Sequence, residues 1–519
     1  MPFKTTPEID FSAVGLITDV PSNSLPDGAW NDCLNVRCKD GSVQGVNAFS
    51  DDIVLHDTNP VIANGRAVAV TQFTPAGSDF LVIAYIVEGT DAYGHVVTYN
   101  TSTKVYDDIT NSVSSPIDMR FRFDSMYAPQ IFVFNELLIV NPAFDAPPMF
   151  TNAGVTSGSL NIMPNWLVDS SVKPLVARSL KPFGNRLMAM NIFEEHTTAT
   201  NDDVNLPVDI LWSSHITGIG SLTSAEWSAS TTNTAGDAFA IETPGRILDG
   251  GQLGEFFIAY KTDSVIRVSE TGDTYVLSFE SIFEDDGIYS SRCFASIGDA
   301  QHLVVGNYGV FIHDGQSQKT DIAKGIFQDA IFGLVKPAEK DRAFCFQQTR
   351  DKEVWFNFSS TTNTASGCNL AFVYDYEAKK LHKRTLPGVS DMYETELNGE
   401  LEIYAAKPDD TKLQTLSNTV YEADGFFIRE DNNLTDNNSI KQINQVSVSS
   451  VADVKIALVG TQNLSDTKTY AFTTYTPASA YKIDVRTTGR YMNLKVQMDG
   501  ATNPQLGKLQ FDVRLLGQR

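Results

Sequence analysis

Cys33 and Cys38, in the stretch WNDCLNVRCKDGSVQGV (residues 30–46), are two thiols five positions apart, a spacing that could close a disulfide or begin a metal site. Either chemistry makes a geometric demand. Asp40-Gly41 between two short alternating runs is the preferred sequence of a two-residue type I′ hairpin turn, so residues 33–38 read as extended chain. Extended, the two thiols stand roughly 16 Å apart and, at an odd separation, on opposite faces. A disulfide needs Cα atoms within about 7 Å. Zinc needs four ligands, yet the nearest histidine is His56 and no second cysteine pair has matching spacing. The thiols therefore read as packing groups and the hairpin as the informative feature. Five cysteines (33, 38, 293, 345 and 368) in 519 residues, an odd and sparse set, suit folding in a reducing compartment.

Other reactive residue types are equally scattered. The seven histidines (56, 95, 196, 215, 302, 313, 382) include no HExxH and no pair at metal-ligand spacing. There is no GxSxG elbow, and the glycine-rich DGGQLGEFF at 249–257 lacks the Lys-Ser/Thr that grips a phosphate, so it reads as a turn between strands. Glu194/Glu195 and Asp285/Asp286 are adjacent carboxylates, which face opposite ways in a strand and are solvated in a turn. SETGDTYV at 269–276 faintly echoes the Asp-box turn of sialidase propellers but lacks its Asp and Trp positions. No catalytic, metal or cofactor residue is expected, and the chain is not read as an enzyme.

Charge narrows the partners. Lys plus Arg number 39 against 63 Asp plus Glu, a net charge of −24, with the acids spread through turns. Phosphate binding works through Lys and Arg displacing counterions, so the chain as a whole is a poor nucleic-acid binder, though it could neighbour DNA without holding it. The longest apolar run, FLVIAYIV from Phe80, is too short to span a bilayer, and MPFKTTPEIDFSAVG has neither the basic nor the apolar region of a secretory signal. No stable membrane insertion is expected.

Behind these residues stands a β-rich pattern. Gly, Pro, Thr, Asn, Val and aromatics favour strands and turns. Apolar runs begin near residues 80, 132, 187, 257, 303, 354 and 401, with gaps of 52, 55, 70, 46, 51 and 47. Several share a plan of strand, turn, strand, polar turn and short strand, as in LVVGNYGVFIHDGQSQKTDI. A period of about 50 residues with three or four strands predicts a β-propeller of six or seven blades over 61–425, the 70-residue gap holding an insertion near 213–235. A series of β-sandwiches is the competing reading, because strand periodicity does not distinguish radial from stacked arrangement. Residues 1–60 read as an N-terminal arm and β-hairpin. Residues 426–440 are polar and turn-rich, and 426–519 read as a linker and a small C-terminal β domain. The fold class is all-β. In that last domain Arg486, Arg490, Arg514 and Arg519 form a basic stripe, a candidate docking surface or a solubility device on a strand edge.

The block GLITDVPSNSLPDGAWNDCLNVRCKDGSVQGV resembles the N-terminal signature of nozzle-type tail proteins of short-tailed bacteriophages, in which a Pro-Gly-rich arm leads into an Asn-Val-Arg…Asp-Gly hairpin, here Asn35, Val36, Arg37, Asp40 and Gly41. KPFGNRLMAMNI at 181–192, LVVGNYGVFIHDG at 303–315 and the ending GRYMNLKV…LLGQR are similar to later stations of the same family, while Cys38 replaces an expected aromatic or apolar residue. The resemblance implies a β-propeller flanked by other β domains, forming a homohexameric ring at the distal end of the tail. It implies a virion protein assembled in host cytoplasm, docked to the tail adaptor and neighbouring tail fibres or spikes, through which DNA passes without sequence-specific binding. An acidic lumen would repel the polyanion and keep it centred, with Glu284, Asp285, Asp286, Asp409 and Asp410 as candidate lumen acids. Two other classes stay open: a carbohydrate-active or carbohydrate-binding propeller, and a propeller scaffold outside any virion.

Overall fold

A computed structural model describes residues 4–517 except 55–64, 76–78, 88–92, 111–126, 145, 153–159, 167–173, 197–202, 273–275, 299, 398–399, 409–411, 435–438 and 500–503. Strands take 57% of residues and helices 5%, the all-β class that the β-branched and aromatic runs predict.

Among the described residues, seven four-stranded antiparallel sheets follow one another along the chain. Their first strands are Gly65–Phe73, Gln130–Phe134, Val176–Phe183, Ile247–Leu253, Phe294–Ile297, Phe344–Gln348 and Asp391–Leu397. In six sheets the remaining strands follow in sequence order; the seventh takes its last strand, Asn47–Val54, from ahead of the first sheet, paired on Lys412–Tyr421. First strands of successive sheets touch, and Asp391–Leu397 returns to Gly65–Phe73. A circle of sheets locked by a strand from the opposite end of the chain is the topology of a β-propeller. Sandwiching each sheet between two neighbours explains why its inner strands read as unbroken apolar runs rather than alternating ones. Leu137–Asn141 and Glu353–Phe358 are buried at every position. On Val204–Trp212, Ile210 and Trp212 face the fourth sheet's Phe257 and Ile266, and Leu211 faces the second sheet's Leu137 and Ile139. The 213–235 segment joins the third and fourth strands of the third sheet. It is packed, Trp227 meeting Trp166 edge-on with ring centroids 4.1 Å apart.

Beside the propeller, among the described residues, lie two larger sheets and a short parallel pair, Gly15–Leu16 with Ala29–Trp30. One runs Lys482–Gly489, Ile440–Ser450, Gln505–Gly517, Ser42–Gly45 and Val36–Lys39, with Lys4–Thr5 and Glu8–Ile9 added along Gln505–Gly517. The other runs Thr473–Tyr475, Val454–Thr461, Tyr491–Asp499, Asp424–Asn432 and Asp32–Leu34. Residues from both ends of the chain thus share one β-sandwich, whereas the sequence divides them into an arm ending at 60 and a domain beginning after 425. Part of the polar stretch expected as a linker, 426–440, is strand Asp424–Asn432. It is held because Phe427 is buried against Trp30 and Phe11, ring centroids 5.1 and 5.3 Å away. The buried Arg429 also donates to the carbonyls of Ser22 and Leu25 at 2.6 and 3.0 Å.

Candidate functional site

The opening hairpin forms as its sequence predicts, Val36–Lys39 against Ser42–Gly45, with Asp40 and Gly41 at φ 51° and 69°. What precedes it differs from the expected single extended run. Asn35 adopts φ 55°, a left-handed conformation that Asn tolerates better than most residues, and sends Asp32–Leu34 into one sheet and Val36–Lys39 into the other. Both thiols therefore enter the same apolar core instead of facing opposite ways, Cys33 fully buried and Cys38 nearly so. Burial pushes both thiols up, Cys33 to about 12.

This hairpin clamps the sandwich to the propeller's sixth sheet. Asn35 donates its N–H to the Lys383 carbonyl at 2.9 Å, and its Oδ1 accepts from the Thr385 N–H and hydroxyl at 2.8 and 3.1 Å. Arg37 reaches Asp351 at 2.9 Å and Glu353 at 3.4 Å, and Lys39 also binds Asp351. Burial opposes ionisation of Asp351, but the Arg37 and Lys39 charges win and hold its carboxyl well below the usual range.

A second polar cluster crosses the propeller interior. Asp249, in the stretch DGGQLGEFF, is fully buried and accepts from the Ser179 hydroxyl at 2.8 Å, the Gly250 N–H at 2.9 Å and the Arg292 N–H at 2.9 Å, with Lys181 at 3.4 Å. Arg292 pairs with Asp391 at 3.2 Å, and Asp391 accepts the Val70 N–H at 3.1 Å. Gln130 donates to the Ser179 hydroxyl at 3.3 Å. The brace thus links the first, second, third, fourth and seventh sheets through two acids and two bases, with Arg292 just ahead of the fifth. Burial raises Asp391 although Arg292 pulls the other way.

A third cluster pairs two of the histidines that look dispersed in sequence. His302 and His313 are cross-strand partners, and the Tyr260 hydroxyl sits 2.8 Å from His302 Nδ1 and 2.8 Å from His313 Nε2. The other ring nitrogens fix the tautomers. The Gly315 N–H donates to His313 Nδ1 at 3.1 Å, so His313 carries its hydrogen on Nε2 and donates to Tyr260. His302 Nε2 donates to the Gln252 carbonyl at 3.1 Å, leaving Nδ1 to accept from Tyr260. The relay is neutral and fully satisfied. Burial pushes His302 down to about 4, and burial with the neighbouring His302 pushes His313 down to about 3.

The residues singled out in the sequence are placed as follows. Glu284 and Asp285 are exposed, Asp285 3.1 Å from Lys319, while Asp286 is buried 3.6 Å from the same ammonium. That turn offers solvent two carboxylates rather than three. Asp409, Asp410 and Arg519 lie outside the described residues. Arg486 and Arg514 are exposed on the outer face of the seven-stranded sheet. Arg490 stands apart at the turn into Tyr491–Asp499, half-buried, its N–H on the Thr461 carbonyl at 2.8 Å and its own carbonyl accepting from Lys441 at 2.7 Å. The brace and the relay escaped sequence reasoning. Their one sequence signal is a polar side chain inside an otherwise apolar strand, as at Asp249, His302 and His313.

No family model and no curated protein matches the chain. Among solved structures it is similar to a puromycin hydrolase mutant complexed with PGG, at 9% identity and a TM-score of 0.37, over 75% of this chain and 60% of that one. It is also similar to the WD40 β-propeller domain of Doa1, at 9% identity and a TM-score of 0.36, over 72% of this chain and 96% of that one. The chain spans 60% of the length of the hydrolase, and overlaps this loose bear on neither activity nor partners.

Proposed function

We propose that the chain is a structural protein of a short phage tail, a seven-bladed propeller with a flanking β-sandwich that forms the nozzle ring, docks to the tail adaptor and lets DNA pass. One observation carries this reading. The five residues that bear the family resemblance, Asn35, Val36, Arg37, Asp40 and Gly41, all work in one joint. Asn35 turns the chain and bonds the sixth sheet, Val36 is fully buried, Arg37 forms the buried ion pairs, and Asp40-Gly41 close the hairpin. A motif spent on fixing one unit to another suits a part that transmits load. The brace at Asp249 crosses the propeller interior, so on this reading DNA runs between copies of the chain rather than through a propeller. An acidic ring wall repels the polyanion, and a charge of −24 per copy disfavours the bare ring, so assembly requires the docking partner.

The test is the mass of the purified protein alone and with adaptor-bearing tail particles, at several salt concentrations, alongside duplex DNA binding. Ring formation on the particles with no tight DNA binding near physiological salt is expected. Tight DNA binding, or failure to join the particles under every condition, overturns the reading.

A carbohydrate-binding role is the second reading. It draws on a groove of about 590 Å³ between the third and fourth sheets, lined by Asn185, His215, Gln252, Glu255, Phe256 and Glu270 among others, with no Lys or Arg among the described lining residues. Binding of neutral oligosaccharides from a glycan panel, lost on Glu255→Ala, would favour it.

A further inference from the structure

The outermost strand of the third sheet, Gly236–Phe239, is paired on one side only, with Val204–Trp212, and Ala240 extends that pairing to the Val208 carbonyl at 2.9 Å. Strand alternation puts Asp237, Phe239 and Ile241 on one face, and Asp209, directly across from Phe239, shares it. Ala238 and Ala240 point the other way, against the core that holds Ile266 and Phe279. Phe239 is 57% exposed and Ile241 71%, on an edge of the kind that folded chains ordinarily cover. Beside them Asp209 is only 4% exposed, and its Oδ1 has no hydrogen-bond partner among the described residues. Burial first, then the Asp237 and Glu194 charges, raise its carboxyl to about 7. Glu242 adds another exposed acid at the end of the strand. A buried, unpaired carboxyl among like charges, flanked by an exposed aromatic and an exposed aliphatic side chain, matches a partner that brings cations together with apolar surface.

The chain carries such a surface elsewhere. On Gln505–Gly517, Arg514 and Leu516 alternate outward; Gln442 lies beside Arg514 and Thr488 beside Gln442. Arg486, exposed on the edge strand Lys482–Gly489, stands at a register break two residues before Thr488, with φ 37°. Leu516 is 51% exposed, and neither guanidinium has an ion-pair partner among the described residues. Of the acids nearby, Asp512 is taken by Lys4 at 3.1 Å, while Asp484 accepts from the neutral Gln445 amide at 2.9 Å and keeps its charge without contacting either guanidinium. The sandwich is clamped to the sixth sheet and the rim belongs to the third, so the arginine face and the acidic rim sit on separate sheets, three apart round the ring. Between chains such surfaces would make a head-to-tail contact, and a repeated head-to-tail contact gives a ring where its rotation closes and a filament where it does not.

We propose that the rim of the third sheet formed by Asp209, Asp237, Phe239 and Ile241 is the docking site for the Arg486, Arg514 and Leu516 face of a second copy. This rests on the ring reading above and gives it an interface.

The experiment is a charge exchange on the full chain, read by mass photometry with and without adaptor-bearing particles, with circular dichroism to confirm folding. One variant carries D237K and E242K; the other carries R486E and R514E. Each variant alone presents like charges at both surfaces, and assembly is expected to weaken at least tenfold. Mixed, their surfaces are complementary in alternation around an even-numbered ring, and assembly is expected to return. F239S alone should weaken assembly without restoring it in any mixture. Rings that form undiminished in both single variants overturn this interface while leaving the ring reading intact. Self-association that persists while docking to the particles is lost assigns the rim to the adaptor and overturns the second copy as occupant. A wild-type chain that stays monomeric with particles present sinks the ring reading and this inference with it.

Discussion

Asp351 and Asp209 are both carboxylates shut away from water, one at the clamp on the sixth sheet and one at the rim of the third, and their acidities move in opposite directions. Asp351 has its cations on the chain, Arg37 at 2.9 Å and Lys39 beside it, and it stays ionised in spite of burial. Asp209 has only burial and the like charges of Asp237 and Glu194, and it rises to about 7. The surroundings are alike in kind, strands of propeller sheets with apolar neighbours. What differs is whether the counter-charge belongs to the same molecule. Asp351, with its cations on the chain, belongs to an internal joint; Asp209, with no hydrogen-bond partner for its Oδ1 among the described residues, is on the proposed interface the group that a second copy's guanidinium would pair.

The largest expected effect breaks the clamp. Arg37→Ala leaves Asp351 and Glu353 buried with the guanidinium gone, a loss of about 3–5 kcal/mol in urea denaturation at neutral pH. Its pH dependence follows from the direction of the shift. Asp351 is depressed in the folded state, so its stabilisation is present above the unfolded carboxylate value and is lost as pH falls through the folded one. The difference between wild type and variant should therefore shrink in acid. A constant difference from pH 3 to 8 would show that Arg37 acts by packing alone.

Tyr260 extends the comparison to a neutral network whose partners are all internal. Tyr260→Phe leaves His302 Nδ1 without its donor and His313 Nε2 without its acceptor, at a cost of about 1–3 kcal/mol near pH 7. The two histidines are depressed, to about 4 and about 3 from 6.5, so their contribution is complete above pH 6.5 and is lost as pH falls toward those values. Acid unfolding that begins below pH 6.5 and becomes shallower in His302→Gln and His313→Gln variants is the expected outcome. Identical acid transitions in all three proteins would remove the relay from the account.

The sequence reveals these regions unequally. Propeller strands are legible because burial on both faces leaves continuous apolar runs, and Asp40-Gly41 is legible because the turn it forms requires positive φ at both positions. The shared sandwich is not, since the pairing of Lys4 with Arg514 leaves no local trace in either segment. The kink at Asn35 has a signal, an Asn between two short runs, but a strict two-residue period runs the strand straight through it and sets the thiols on opposite faces. His302 and His313 become partners only once the turn between Gln301–Val305 and Val310–His313 fixes the register. Of the arginine stripe, Arg486 and Arg514 are exposed on strands of one sheet, Arg486 at a bulge that the sequence does not reveal, while Arg490 falls at a turn whose position composition does not reveal. Asp209 sits in VDILW, which reads as an ordinary core strand with one acid in it.

That acid gives the smallest effect and the sharpest contrast with the clamp. Asp209→Asn removes a charge that the isolated fold holds unfavourably. The folded-state value is raised above the unfolded 3.8, so the protonated carboxyl favours the fold below that pH, and the contribution is lost as pH rises through about 7. At pH 8 the Asn variant is expected to be more stable than wild type, by about 1 kcal/mol once relaxation at the rim is allowed for. Near pH 4, where wild type carries the proton, the two should melt together. Arg37→Ala runs the other way in both sign and pH trend. Docking should reverse the Asn advantage, because a guanidinium at the rim stabilises the carboxylate and has nothing to pair with in the variant. A wild-type chain that is the less stable alone at pH 8 and the better assembler would tie the unsatisfied charge to its partner. An Asn variant that is less stable at pH 8 would mean that Asp209 already has its cation within the chain, and the two carboxylates would no longer differ in kind.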